Sequence, residues 1–272
     1  ARSLLARTRP AAVLGGGGYV AAPVGLAAVA MRIPLVLTEA DSHLGLANRL
    51  LAPFARRVCL SFPIAGRDGS RYRVTGRPIA SALPGRGEAR ARLGIPEAET
   101  CVLVFGGSLG ARTINRAALE AFAEAPFRVL HVCGTRDHAE LAATPRGPRY
   151  ELVDSLPPAD FSAALAAADL VVARAGGSVF EVAAAGVPAI LVPYPHAAAD
   201  HQRGNARWMA DAGAAIVIDD DDLDAARLAG EVGALLADPA RLERMAAASR
   251  ALARPEAARD VAAELLAAAA ER

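Results

Sequence analysis

Aromatic side chains are scarce: they make up 4% of the 272 residues, with one tryptophan. With 53% hydrophobic residues overall, the cores have to be filled by Ala, Val and Leu, which suits helices packed closely on sheets and favours an α/β protein. Cysteine is equally sparse. Cys59, Cys101 and Cys133 are an odd number, far apart, each in or beside a strand-like run, which argues against a disulfide framework and a CxxC metal site and fits a reducing cytoplasm. There is no surplus of charge: 30 basic against 29 acidic residues leave a net +1, so no global field is available to hold nucleic acid. Uninterrupted apolar runs are also missing. The longest charge-free stretches, Pro10 to Met31 and Val182 to Ala199, are broken by four successive glycines and by three prolines respectively, and read as strand, loop and helix rather than as membrane spans. No basic-then-apolar signal segment opens the chain.

What is present is a repeating alternation. Short apolar runs recur ("AAVLG", "PLVLTE", "RVCLS", "YRVTG", "CVLVFG", "FRVLHVCG", "YELVD", "DLVVAR", "AILVP", "AAIVID"), and most are separated by stretches of helical spacing such as Ala111 to Glu124 and His201 to Ala212. Strand–helix alternation implies parallel sheets covered on both faces. Composition shifts at Gly76 to Glu88, "GRPIASALPGRGE", which reads as a linker. The expected division is residues 1–78 and residues 79–272, the second part closing with helices near Asp222 to Leu236, Pro239 to Leu252 and beyond Pro255. Only about four strands precede the linker, so the first domain is expected to be incomplete, and the opening "ARSLLARTRP" to be the end of a surface helix. The acidic run Asp219 to Asp222 reads as a solvated turn capping the next helix.

Several turns carry candidate chemistry. "VLVFGGSLGA", Val102 to Ala111, is a buried strand that ends in glycines and opens a helix, so the amides around Gly107 and Ser108 and the helix dipole can receive an anion, naturally a diphosphate. "RAGGSVFE", Arg174 to Glu181, is a second such turn. Ser178 and Glu181 have the spacing of a capping box, yet a carboxylate at a βα turn can also accept two hydrogen bonds from a ribose diol. "PYPHAAADHQRGNA" brings His196, Asp200, His201, Gln202 and Asn205 together; the spacing matches no strong zinc pattern, and polar groups reading sugar hydroxyls are the better functional reading. "LGGGGYVAAPVG" is a further glycine turn, and "LTEADSHLGLANR" gathers Glu39, Asp41, Ser42, His43 and Asn48 at a strand end, where ligands bind in open α/β sheets.

Taken in order, "GGGGYVAAPVGLAA", "TEADSHLGLANRLLAPFARRV", "VTGRPI", "VFGGSLGARTIN", "RAGGSVFEVAAAGVPAILVPYPHAAADHQRGNA" and "PEAARDVAAELL" resemble the MurG family of N-acetylglucosaminyltransferases over essentially the whole chain. The resemblance implies a GT-B fold, two Rossmann-like domains of which the second holds UDP-N-acetylglucosamine and the first, membrane-facing one holds an undecaprenyl-linked muramoyl-pentapeptide acceptor. It implies an inverting transfer without metal or other cofactor, by a peripheral protein on the inner face of the cell membrane. By the same resemblance Ser108 is the diphosphate-contacting serine, Gly176, Gly177, Ser178 and Val179 form the nucleotide loop, Glu181 binds the ribose, and Gln202 reads the donor sugar. Asp41 stands at the position of a substrate-contacting asparagine. Gly16, Gly17, Gly18 and Tyr19 match the acceptor's glycine loop, with Glu39 and Asn48 beside it. Departures are visible: the family's first glycine loop is expected upstream of Ala1, so the chain as given is expected not to turn over; Thr38 to Asp41 replace a His-Glu-Gln-Asn stretch; and a common arginine is Ala80, with Arg77 a substitute for the same phosphate. The altered stretch motivates an alternative lipid acceptor, and the missing loop a non-catalytic UDP-sugar-binding module. "NRLLAPFARRV" sets Leu50, Leu51 and Phe54 beside Arg56 and Arg57, a combination suited to an anionic lipid surface.

Overall fold

The computed structural model describes residues 1–79 and 83–270, together with the backbone but not the side chain of Ala199. Ala80 lies outside the described residues. The chain divides into two compact units, residues 1–79 with 254–272, and residues 80–253.

In the first unit, helix α1 (Arg2–Thr8) leads to β1 (Val13–Gly15), α2 (Gly18–Ala30), β2 (Leu35–Glu39), α3 (Leu46–Leu51), β3 (Arg57–Leu60) and β4 (Tyr72–Val74). The four strands form one sheet in sequence order, all pairs parallel. Alternation along the strands sorts their side chains between two faces. Leu35, Leu37, Val58 and Leu60 pack with Leu44, Leu51 and Ala52. Val36 and Cys59 point the other way.

The second unit runs α4 (Arg86–Arg92), β5 (Cys101–Phe105), α5 (Arg112–Phe122), β6 (Arg128–Val132), α6 (His138–Ala142), β7 (Tyr150–Val153), α7 (Pro158–Ala167), β8 (Leu170–Ala173), α8 (Val179–Ala185), β9 (Ala189–Leu191), α9 (His201–Asp211), β10 (Ala215–Val217), α10 (Ala225–Leu236) and α11 (Pro239–Leu252). Its sheet has the order β10-β9-β8-β5-β6-β7, every pair parallel. β5 and β8 are buried at every position, as central parallel strands with both faces covered must be. The order reverses direction at β5, and such a switch point opens a crevice at the carboxyl ends of the strands. At the opposite end, the buried Arg90 donates to the carbonyls of Ala167, Pro96, Glu97 and Glu99 and pairs with Asp169 at 2.9 Å, tying α4 to the loops that enter β5 and β8.

Two expectations need correction. Sequence order places helix α12 (Ala257–Ala270) with the second part of the chain; instead Val261 and Ala268 cover Val36 and Cys59 of the first sheet, and Glu264 accepts from Arg57 Nε at 3.0 Å. An amphipathic helix needs an uncovered sheet face, and sequence order does not say which sheet offers one. The run Asp219 to Asp222 does not cap α10. That task falls to Asp224, which accepts from the Arg227 amide, while Asp220 accepts from Thr113 and pairs with Arg174, and Asp219 pairs with Arg203.

Candidate functional site

In the second unit the ends of β5, β6 and β7 and the first turn of α8 enclose a cleft of about 570 Å³. Phe105, Val132, Leu156 and Phe161 give it apolar walls; Ser108, Ser155, Ser178 and Glu181 are among its polar groups. Phe105 and Phe161 meet edge to face with centroids 5.1 Å apart, which fixes the ring that floors the cleft. A hollow of this size with apolar walls and few polar groups suits a nucleoside.

The turn between β5 and α5 forms one rim. Gly107 and Gly110 adopt left-handed φ of 91° and 77°, and the Gly110 amide donates to the Gly107 carbonyl at 2.9 Å. A Cβ on Gly107 would meet nothing within 4 Å, so that face of the turn is open, whereas one on Gly110 would overlap the Cys133 carbonyl. The first N–H groups of α5 have no intrahelical partner and carry the positive end of its dipole.

The turn between β8 and α8 forms another. Ser178 occupies the N-cap position with helical φ of −62°, and its hydroxyl makes no capping bond, so the Ser178 half of the expected capping box is absent and the hydroxyl stays on the cleft wall. Val179 is wholly buried and its amide donates to the Gly176 carbonyl at 3.2 Å, so its part is to hold the turn in shape. The turn is fastened from outside. Asn205, buried on α9, donates to the Ala175 carbonyl at 3.1 Å. Arg174 donates to the carbonyls of Val192 and Pro193 at 3.2 and 3.3 Å, pairs with Asp220 and stacks over Tyr194 at 5.5 Å. Gln202 accepts from the Tyr194 amide at 3.0 Å through Oε1, and its Nε2 lies toward Gly176, at 4.0 Å from where a Cβ would stand. Just before it, Asp200 holds a left-handed φ of 54°, unusual away from glycine and a mark of a loop constrained by its surroundings.

In the first unit Gly17 and Gly18 have φ of 80° and 73° at the start of α2, and Tyr19 beside them is 96% exposed. Glu39 and Asn48, read as acceptor-facing, are turned to their own loop. The Glu39 carboxylate accepts from the amides of Asp41 and Gly45 at 3.2 and 2.8 Å and from Asn48 Nδ2 at 2.9 Å. Asn48 also donates to the Thr38 carbonyl at 2.9 Å and lies behind Gly17, where a Cβ would sit 3.3 Å from its Nδ2. Their visible work is to shape the loop that presents Asp41, which is half-buried, as is Arg77 after β4. Leu51 is core, while Leu46, Leu50 and Phe54 are each about 60% exposed and Arg49 is exposed among them. Arg57 is committed to Glu264.

Ser108, Ser178 and Glu181 therefore converge on one cleft of the second unit, with Gly176 and Gln202 at the adjoining turn. Asp154 to Leu156, Phe105, Val132 and Phe161 were not foreseen; the only signal in the sequence was their place at the ends of strands β5 to β7 and on the helix that follows. Among the described residues no group of three His, Cys, Asp or Glu side chains is arranged to hold a metal ion.

A doubly wound sheet carrying two glycine turns and a nucleoside-sized cleft has the build of a nucleotide-binding α/β protein, and family comparison narrows the class. Residues 101–264 match the glycosyltransferase family 28 C-terminal domain and residues 1–60 its N-terminal domain; the chain belongs to that family. Within it, the chain is similar to the UDP-N-acetylglucosamine--N-acetylmuramyl-(pentapeptide) pyrophosphoryl-undecaprenol N-acetylglucosamine transferase of Rubrobacter xylanophilus, at 44% identity over 98% of this chain and 80% of that protein. It is 42% identical to the enzyme of the same name from Pseudomonas paraeruginosa, over 95% of this chain and 73% of that one. Among solved structures, MurG of Acinetobacter baumannii superposes with a TM-score of 0.81 at 31% identity, covering 98% of this chain and 77% of that one. The similarity to a GT-B enzyme runs through both units, as the sequence motifs imply.

Proposed function

We propose that the protein transfers N-acetylglucosamine from UDP-N-acetylglucosamine to an undecaprenyl-pyrophosphoryl-linked muramoyl-pentapeptide, with inversion at the anomeric carbon. The observation that carries this reading is the convergence of Ser108, Ser178 and Glu181 on a nucleoside-sized cleft between two glycine turns in a family 28 chain. In this reading the uracil lies between Phe161 and Leu156, Glu181 accepts from the ribose diol, and the diphosphate rests on the Gly107 turn with Ser108. Gln202 offers its amide to the donor sugar. As the acceptor hydroxyl attacks the anomeric carbon and yields its proton to a general base, the bond to the diphosphate breaks and negative charge grows on the departing UDP. Backbone amides and the α5 terminus are already aimed at that charge, and a preorganised donor of this kind contributes roughly 2.7–4 kcal/mol.

On the acceptor side we assign the acceptor's diphosphate to the turn Gly16 to Gly18 and its sugar to Asp41, with Arg77 within the same unit. The exposed Tyr19, Val20, Leu46, Leu50 and Phe54 together with Arg49 suit a peripheral seat on an anionic leaflet at the cytoplasmic face, by apolar burial plus roughly 1 kcal/mol per basic residue. No described helix is long and apolar enough to cross a membrane.

The test has two arms. Calorimetric titration of the chain with UDP and UDP-N-acetylglucosamine is expected to give saturable binding; no heat with any uridine nucleotide would refute the donor assignment. Transfer of radiolabelled N-acetylglucosamine from its UDP donor to lipid-linked acceptors is then measured with the full-length protein. Turnover with another lipid but not with the muramoyl-pentapeptide carrier would overturn the acceptor, and binding without any transfer would make the protein a nucleotide-sugar-binding module.

A further inference from the structure

One buried polar chain in the second unit lies outside the cleft. On β6, His131 is wholly buried, with the Tyr150 hydroxyl 2.7 Å from Nδ1 and Asn115 Oδ1 3.0 Å from Nε2. Asn115, 1% exposed on α5, places Nδ2 at 2.9 Å from the Cys133 carbonyl and 3.2 Å from Asp137 Oδ2. Both of these partners accept only, so Asn115 turns its NH₂ to them and its carbonyl to His131. His131 must then donate from Nε2 and accept at Nδ1 from Tyr150. Burial lowers the His131 pKa to about 3, so the neutral ring that this pattern requires persists at neutral pH. All donors run one way, from Tyr150 through His131 and Asn115 to Asp137, and aligned bonds of this kind reinforce one another. Asp137 in turn accepts from Arg112 Nε at 3.1 Å and from Arg136 Nε and Nη2 at 3.0 Å each.

The place where this chain ends gives it a consequence. Gly134 has φ of 84°, and a Cβ on it would collide with the Gly110 backbone just as one on Gly110 would collide with the Cys133 carbonyl. The Cys133–Gly134 peptide and the Gly107–Gly110 turn therefore touch backbone to backbone, with no side chain able to absorb a shift. Holding the Cys133 carbonyl sets where the turn stands.

We infer that Asn115, oriented by His131 and Tyr150, is a positioning residue for the Gly107–Gly110 turn and, through it, for the diphosphate of the nucleotide. The inference rests on the donor assignment above. Its test exploits the difference between UDP and uridine, since only the former uses the turn. The charged and titratable groups facing residue 115 are Asp137 with Arg112 and Arg136, His131, Tyr150 and the Cys133 thiol. Asn115→Asp sets a second carboxyl against Asp137 and the Cys133 carbonyl. Protonated, that carboxyl can donate as the amide did; ionised, it repels both. Titration calorimetry at pH 5.5 and pH 8.5, each referred to the wild type at the same pH, is expected to show UDP affinity within about threefold of wild type in acid and lower by about tenfold or more in base. Uridine affinity should stay within about twofold throughout. Asn115→Ser, which is too short to reach either partner, should lose UDP at both pH values and keep uridine. Variants that melt cooperatively and lose UDP and uridine equally, or lose neither, overturn the inference. Should Asn115→Asp not melt cooperatively at pH 8.5, the serine variant decides by the same ratio. A wild type that binds no uridine nucleotide would instead sink the donor assignment itself, and the two failures are told apart by that control.

Discussion

Replacing Glu181 by glutamine separates a helix-capping carboxylate from a ligand-binding one. Glu181 sits on the first turn of α8, half-buried at the edge of the cleft. As a first-turn acid it gains roughly 0.3–1 kcal/mol from the helix dipole, which the amide forfeits. For a unit of this size that is a shift of at most about 4 °C in Tm. Glutamine can still take the third position of a capping box, and it keeps the size and shape of the side chain, although the Ser178 hydroxyl makes no capping bond of its own. Binding differs. Hydrogen bonds to a charged acceptor contribute roughly 1.5–3 kcal/mol against 0.5–1.5 for a neutral one, so UDP affinity should fall by about tenfold. The decisive assay is a double-mutant cycle by calorimetry, crossing Glu181→Gln with UDP and 2′-deoxy-UDP. Wild type should prefer UDP, and the variant should lose most of that preference, leaving a coupling of about 1 kcal/mol. If the preference survives in the variant, or if Tm and affinity fall together for both ligands, Glu181 is a structural carboxylate and the ribose assignment is wrong.

The two left-handed glycines of the first turn should respond differently. Gly107→Ala carries only the strain of its φ of 91°, about 1–2 kcal/mol in a urea melt, but projects a methyl into the open face and should weaken UDP more than uridine; Gly110→Ala, whose Cβ overlaps the Cys133 carbonyl, should cost clearly more stability than Gly107→Ala. Arg90→Ala should cost about 3–5 kcal/mol in the same melt, because it removes a buried guanidinium that donates to four carbonyls and to Asp169 at once, without changing the ratio of UDP to uridine affinity. His131 has its pKa lowered from 6.5 to about 3 by burial, so the unfolded chain binds more protons between those values and stability should fall as pH drops from 6.5 toward 3, with a slope of up to about 1.4 kcal/mol per unit. Asp137, held down to about 2 by Arg136 and Arg112, adds a loss in the same direction only below its ordinary 3.8. Urea melts of wild type and His131→Gln between pH 7 and pH 4.5 check this; equal slopes would count against a buried neutral ring.

The strands were legible because buried parallel strands are continuous apolar runs, and each of the ten quoted runs contains one. Which sheet a late helix covers was not, because Val261, Leu265 and Ala268 make an apolar stripe that suits either. The glycine turns announced themselves through composition. Direction did not: Glu39 reads like a ligand-facing acid at a strand end, yet a buried carboxylate there first satisfies the amides of its own loop. Asn115 and His131 left no signal at all. His131 stands among the apolar residues of β6 and Asn115 is one of several polar residues on α5, and their relation exists only once the two elements meet.

The arginines of the second unit sharpen the physical picture of the donor site. Arg174 spends its guanidinium on two carbonyls and Asp220, and Arg112 and Arg136 share one carboxylate. Their charges serve to fasten the loops around the cleft, through Val192 and Pro193 after β9 and Asp137 after β6. A mobile arginine reaching for a departing diphosphate would have to be ordered at the moment of reaction, against roughly 2 kcal/mol of side-chain entropy. Turn amides held by such fasteners are ordered already, when the chain folds. Loosening a fastener should thus be felt at the diphosphate before it is felt at the nucleoside, even where the fastener itself touches neither.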